Sequence, residues 1–104
     1  MKKVINGKMY NTETAELIHD WDNGRFSNDF RYRTKTLYRT KKGAWFIRHE
    51  GGPMTDMAVS CGSNSTSGSA DIEPISKEDA FRFLCTHDGT EKAEEYFPEM
   101  IEEA

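Results

Sequence analysis

His49 and Glu50 stand side by side ahead of a Gly51-Gly52-Pro53 corner, with the residue types of a general acid–base pair. A zinc peptidase would need a second His at helical spacing, and none follows. Acyl- or group-transfer chemistry would also need a nucleophile and an oxyanion site, and the surrounding residues indicate neither. The favoured reading is a strand-end histidine that is hydrogen-bonded within the fold. Cys61, Cys85, His87 and Asp88 are the other ligand-type residues. Their spacing fits no common zinc pattern, and Cys85 falls on the apolar face of a predicted helix, so no metal is expected. Gly62 and Gly68 lack the strand-to-helix setting and the Lys of a phosphate loop. No catalytic residue and no cofactor is expected.

Two charged sets carry more promise. Arg31, Arg33, Lys35, Arg39, Lys41, Lys42 and Arg48 are interleaved with Phe30, Tyr32, Tyr38 and Trp45. Basic side chains could hold phosphates while exposed aromatics stack on bases, which is the chemistry of a nucleic-acid surface. The competing reading packs those aromatics under helices and leaves the Lys/Arg face solvated, as so small a domain needs them in its core. Glu91, Glu94, Glu95, Glu99, Glu102 and Glu103 form the opposite set, on the polar face of the last helical segment. They read either as a solvated acidic tail or as a carboxylate array that imitates DNA phosphates and occupies a basic groove in a partner. Residues 1–50 hold 11 Lys/Arg against 6 Asp/Glu, and residues 71–104 hold 3 against 11. The chain is therefore polarised, basic first and acidic last, within a net charge of −4.

The elements that must position these residues follow from pattern. Asn6-Gly7 is a preferred type I′ pair and closes a hairpin over Lys3–Tyr10. Ala15, Leu17, His19 and Trp21 alternate with Glu16, Ile18 and Asp20, which predicts a half-buried strand ended by Asp22-Asn23-Gly24. A long strand is predicted from Phe30 to Arg39, with Phe30, Tyr32, Thr34, Thr36 and Tyr38 on one face and Arg31, Arg33, Lys35, Leu37 and Arg39 on the other. Lys41-Lys42-Gly43 turns it into a return strand, Ala44–His49. Residues 60–70 are Ser/Gly-rich and predict a flexible loop, and Asp71–Ile75 a short edge strand that tolerates Pro74. Ser76 caps a first helix that His87-Asp88-Gly89 stops. A second helix starts near Thr90 and must kink or restart at Pro98.

Four segments resemble small proteins, mostly uncharacterised, encoded on mobile elements of Firmicutes. They are Val4-Ile-Asn-Gly-Lys-Met-Tyr-Asn-Thr-Glu-Thr-Ala-Glu-Leu-Ile18, Thr36-Leu-Tyr-Arg-Thr-Lys-Lys-Gly-Ala-Trp-Phe46, Glu50-Gly-Gly-Pro-Met54 and Pro74-Ile-Ser-Lys-Glu-Asp-Ala80. That setting of plasmids, conjugative elements and phages includes anti-CRISPR proteins that bind Cas9. The resemblance thus implies a small non-enzymatic interaction protein, with a Cas nuclease or its guide complex as the specific partner to expect. It brings no catalytic or binding residue with it. A nucleic-acid-binding module using the basic set stays open as the alternative.

At 104 residues, with 36% hydrophobic and 31% charged residues, the chain has enough apolar content for one folded domain spanning 1–104. The expected class is α+β, an antiparallel β-sheet of about four or five strands followed by two C-terminal helices packed on one face. No window approaches a membrane-spanning length, and Gly7 and Lys8 cut short the apolar run after Met1. The two cysteines read as free thiols, and a cytoplasmic location is expected. Oligomeric state is left open.

Overall fold

The computed structural model describes residues 1–26, 28–60 and 66–104, so Cys61 and Gly62 lie outside the described residues. The fold is α+β. Strands β1 (Lys2–Ile5) and β2 (Lys8–Asn11) form a two-stranded hairpin. Strands β3 (Glu16–Asp22), β4 (Arg33–Arg39) and β5 (Trp45–Gly51) lead, through a short ribbon β6 (Val59–Ser60) and β7 (Thr66–Ser67), to β8 (Ser69–Ile75). The main sheet is antiparallel in the order β3-β4-β5-β8. Helices α1 (Lys77–Thr86) and α2 (Thr90–Tyr96) and a 3-10 turn (Pro98–Met100) close the chain.

Period-two alternation places Leu37, Trp45 and Ile47 on one face of the sheet. There they meet Ala80, Phe83, Leu84, Ala93 and Phe97 of the helical segment, with Ile18 added from β3. Trp45 is wedged against the rings of Phe97 and Tyr96, at 5.1 and 5.8 Å between centroids. The opposite face is built on Phe46 and Ile72 and is covered by Tyr10 of the N-terminal hairpin. Tyr38 stacks on Phe46 at 5.1 Å, and Tyr10 meets it edge-on at 5.5 Å. Of the expected aromatic face Tyr38 therefore packs, but under the hairpin. The helices take the face that carries Leu37, which is also the face of Arg33, Lys35 and Arg39.

Three local expectations need correction. First, β3 contains a bulge between Leu17 and His19, so the apolar register changes face midway. Ile18 is buried and Leu17 exposed, the reverse of strict alternation. Second, β4 starts at Arg33 and not at Phe30. The Asp29 carboxylate accepts from the Arg31 amide at 2.7 Å, and the Asp29 carbonyl accepts from the Tyr32 amide, which holds this stretch as a turn and leaves Phe30 exposed. Third, within the stretch expected as a loop Thr66–Ser67 is strand and β8 begins at Ser69, while residues 61–65 lie outside the described residues.

The turns follow their chemistry. Asn6 and Gly7 have φ of 52° and 77°, as a type I′ pair requires. Ser76 Oγ accepts from the Asp79 amide at 3.1 Å and caps α1. At the other end Asp88 takes the left-handed position (φ 60°), and the Gly89 amide bonds back to the Leu84 carbonyl. A Cβ on Gly89 would come within 2.7 Å of Leu84 Cδ2. Edge strand β8 is protected against further pairing. The outward Ile72 amide is taken by Asp71 Oδ1 at 2.8 Å, and Pro74, on the same edge, has no amide hydrogen.

Candidate functional site

Strand alternation separates His49 from Glu50. Glu50 lies on the hairpin side of the sheet, near Arg48 Nη1 at 3.5 Å and the Tyr32 hydroxyl at 3.4 Å. His49 faces the other way and is gripped at both ring nitrogens. Arg33 Nη2 approaches Nδ1 at 2.8 Å, and Glu73 Oε1 approaches Nε2 at 3.0 Å. A guanidinium only donates, so Nδ1 accepts and the ring proton sits on Nε2, which donates to Glu73. His49 has no free nitrogen in this arrangement. The other histidines are also engaged. His19 Nε2 donates to the His87 carbonyl at 2.6 Å, and His87 Nδ1 donates to the Phe83 carbonyl at 2.9 Å.

Arg33 is the centre of the His49 cluster. It is 9% exposed, and all five of its N–H donors find acceptors. Nε and Nη2 fork onto the Asp56 carboxylate at 2.7 and 3.1 Å. Nη2 also reaches His49, while Nη1 donates to the Thr34 and Glu50 carbonyls at 2.7 and 3.5 Å. These groups line a shallow cavity of about 300 Å³ with Met57, Asp71 and Glu73. Two of its carboxylates, Asp56 and Asp71, are held acidic. The Asp56 carboxyl is pushed below its usual range by the Arg33 hydrogen bonds. Asp71 is pushed the same way by the Lys3 ammonium at 2.6 Å and by the Ile72 amide. Among the described residues no group of His, Cys, Asp and Glu is arranged to hold a metal ion, and Cys85 is an exposed free thiol.

The basic set does not form a track. Besides Arg33, Arg48 pairs with Glu50. The Lys35 ammonium lies 5.7 Å from the Trp21 ring centre, and the Arg39 guanidinium 5.8 Å from that of Trp45. Arg31, Lys41 and Lys42 are exposed and have no ion pair among the described residues. Arg31 precedes β4 and the two lysines follow it, so roughly 30 Å of extended chain lies between them. The aromatics meant to stack on bases are mostly occupied, with Trp45 and Tyr38 in the two cores; Phe30 stays open.

The acidic set is differently placed. Residues 77–104 carry nine carboxylates, all exposed, and three cations. Each cation takes one carboxylate: Lys77 with Glu99 (3.0 Å), Arg82 with Asp79 (3.0 Å) and Lys92 with Glu95 (3.4 Å). Glu78, Asp88, Glu91, Glu94, Glu102 and Glu103 are left with no ion pair among the described residues. Of the six glutamates singled out from sequence, Glu95 and Glu99 are therefore paired and four are unpaired. The helical setting was overestimated. Phe97 ends α2, the 3-10 turn holds Glu99, and Glu102 and Glu103 follow it outside any helix. Glu99 is held below the ordinary carboxylate range by a backbone hydrogen bond and by Lys77. Tyr96 ties this layer to β3 by donating to Glu16 Oε1 at 2.5 Å, and that bond pushes the phenol up to about 12.

Sequence reasoning missed the Arg33–His49–Asp56–Glu73 cluster. A usable signal was present: Arg33 shares a strand face with Leu37, which pairs with Ile47 in the core. No family model matches the chain, and neither a curated protein nor a solved structure matches it. No helix among the described residues is long and apolar enough to cross a membrane.

Proposed function

We propose that this chain is a non-enzymatic interaction protein that offers its acidic C-terminal layer to a positively charged groove on a protein partner. The observation that carries this reading is the charge accounting of residues 77–104: every cation there is already paired, and six exposed carboxylates have no ion pair among the described residues. Such an array steers association with a basic cleft and loses affinity as salt rises. Together with the resemblance to mobile-element proteins, it favours an inhibitor that occupies the nucleic-acid channel of a Cas nuclease or its guide complex in the host cytoplasm.

The nucleic-acid-binding alternative has less support. It needs the basic residues to act together, but Arg33 and Arg48 have internal carboxylate partners, and Lys35 and Arg39 lie over aromatic rings. Capture from host lysate followed by a Cas9 cleavage assay tests the proposal. Recovery of the nuclease and slowed DNA cleavage are expected. Failure of both would remove that nuclease as the partner. Tight binding of short DNA or RNA, abolished by charge reversal of Arg31, Arg33 and Lys35, would transfer support to the alternative.

A further inference from the structure

On the side of the sheet away from the helices, the N-terminal hairpin and the β4–β5 turn enclose a groove of about 600 Å³. Its walls bring together Lys8, Lys41 and Lys42, and no carboxylate is among its lining residues. None of the three lysines has an ion pair among the described residues, although the chain as a whole is acidic. Both turns that carry them are sharply fixed. Gly7 adopts φ +77° beside Lys8; Gly43 adopts φ +89°, and Thr40 and Gly43 close the second turn through backbone bonds. Thr14 and Thr40 also line the groove; the Thr14 hydroxyl donates to the Asn11 carbonyl, whereas that of Thr40 accepts from the Ala44 amide and keeps its own hydrogen, and Met9, Tyr10 and Ala44 add an apolar surface. Met9 is 54% exposed, so part of that surface faces water.

Three lysines lining one concavity with no carboxylate beside them raise its positive potential and lower the cost of bringing an anion there. Lysine serves phosphate as a point charge, the Thr40 hydroxyl has a donor for its oxygens, and the apolar wall suits a flat organic body. We infer that this groove binds a phosphoryl-bearing organic ligand of nucleotide size, through Lys8, Lys41 and Lys42. The site lies on a different element set from the acidic layer and does not depend on it.

The test is titration of the intact protein at low salt with pyrophosphate, ATP and a short oligo(dT), read by amide chemical shifts. ATP should perturb residues 7–10 and 40–44 in a saturable way and bind more tightly than pyrophosphate, and pyrophosphate binding as tightly would overturn the organic part of the assignment. The triple variant Lys8→Gln, Lys41→Gln, Lys42→Gln should weaken ATP binding by at least tenfold. An equal-charge control, Arg25→Gln, Lys77→Gln, Lys92→Gln, should leave it within twofold. Equal loss in both triples, or no saturable shift at millimolar ATP, would overturn the assignment. Oligo(dT) binding much tighter than ATP would assign the phosphoryl groups to a nucleic-acid backbone, and a Glu-rich peptide displacing ATP more strongly than pyrophosphate does would count against phosphoryl recognition.

Discussion

Asp56→Ala is expected to destabilise the protein more than Arg33→Met, although Arg33 makes five hydrogen bonds and Asp56 is a surface residue. The asymmetry comes from where each charge is left. The Arg33 side chain is 11% exposed and that of Asp56 is 71% exposed. Removing Asp56 strips Nε and one Nη2 bond and leaves a nearly buried guanidinium without its carboxylate. Leaving two donors of a nearly buried cation unmet, in a pair whose carboxylate side is open to water, costs about 2 kcal/mol. Removing Arg33 leaves Asp56 in water at little cost, while a methionine keeps much of the apolar stem contact. The Thr34 and Glu50 carbonyls belong to residues paired in the β4–β5 ladder and lose only a second donor, so the main loss is the donor to His49 Nδ1, about 1 kcal/mol. The double variant should match Arg33→Met, so the two changes are strongly non-additive. Urea unfolding followed by circular dichroism gives all three values, and at a typical slope of about 1.5 kcal/mol per molar the Asp56→Ala midpoint falls by about 1.3 M. A midpoint for Asp56→Ala within error of wild type, with Arg33→Met the more damaging change, would refute the claim that the buried cation depends on this carboxylate.

Other outcomes follow from the same structure. Leu37 is fully buried between sheet and helices, and Leu37→Ala should cost about 3 kcal/mol; a loss under about 1 kcal/mol in the same urea assay would deny it a central place in the core. Tyr96 should ionise near 12 by phenolate absorbance, and Glu16→Gln should bring it back towards 10; a wild-type titration with no late phenol would remove the Glu16 bond. Asp56 and Asp71 both have native pKa values below the reference of 3.8. The folded state therefore binds fewer protons than the unfolded state, and stability present at neutral pH is lost as pH falls below about 4. Asp56→Asn and Asp71→Asn should each flatten that acid limb of the urea midpoint, and an unchanged pH profile would contradict the assignment.

Local chemistry was legible in the sequence wherever neighbours decide it. The Asn6-Gly7 turn, the Lys41-Lys42-Gly43 turn, the Ser76 cap and the Asp88-Gly89 stop each depend on a few adjacent residues, and each forms as its residues dictate. Trp45, one of the aromatics that so small a domain needs in its core, is buried. What escaped depends on long-range pairing. Ile18 is buried because a bulge shifts register against β4, and no period in β3 alone encodes that. The carboxylate facing His49 is Glu73, which β5–β8 pairing brings near, whereas its sequence neighbour Glu50 points to the opposite face. The hairpin's role as cover for Phe46 is likewise a tertiary event. The acidic set was legible as composition, but which carboxylates stay unpaired depends on contacts such as Lys77–Glu99, made across 22 residues of chain.

The central claim is that the unpaired carboxylates form the partner-binding surface. Its most direct measurement is inhibition of Cas9 DNA cleavage by the wild type and by the variant Glu91→Gln, Glu94→Gln, Glu102→Gln, Glu103→Gln, each in low and high salt. The account predicts inhibition by the wild type that weakens as salt rises, and a loss of at least tenfold in the quadruple variant, with Lys41→Gln, Lys42→Gln unchanged. Full inhibition by the quadruple variant, or inhibition lost in the lysine variant instead, would contradict it.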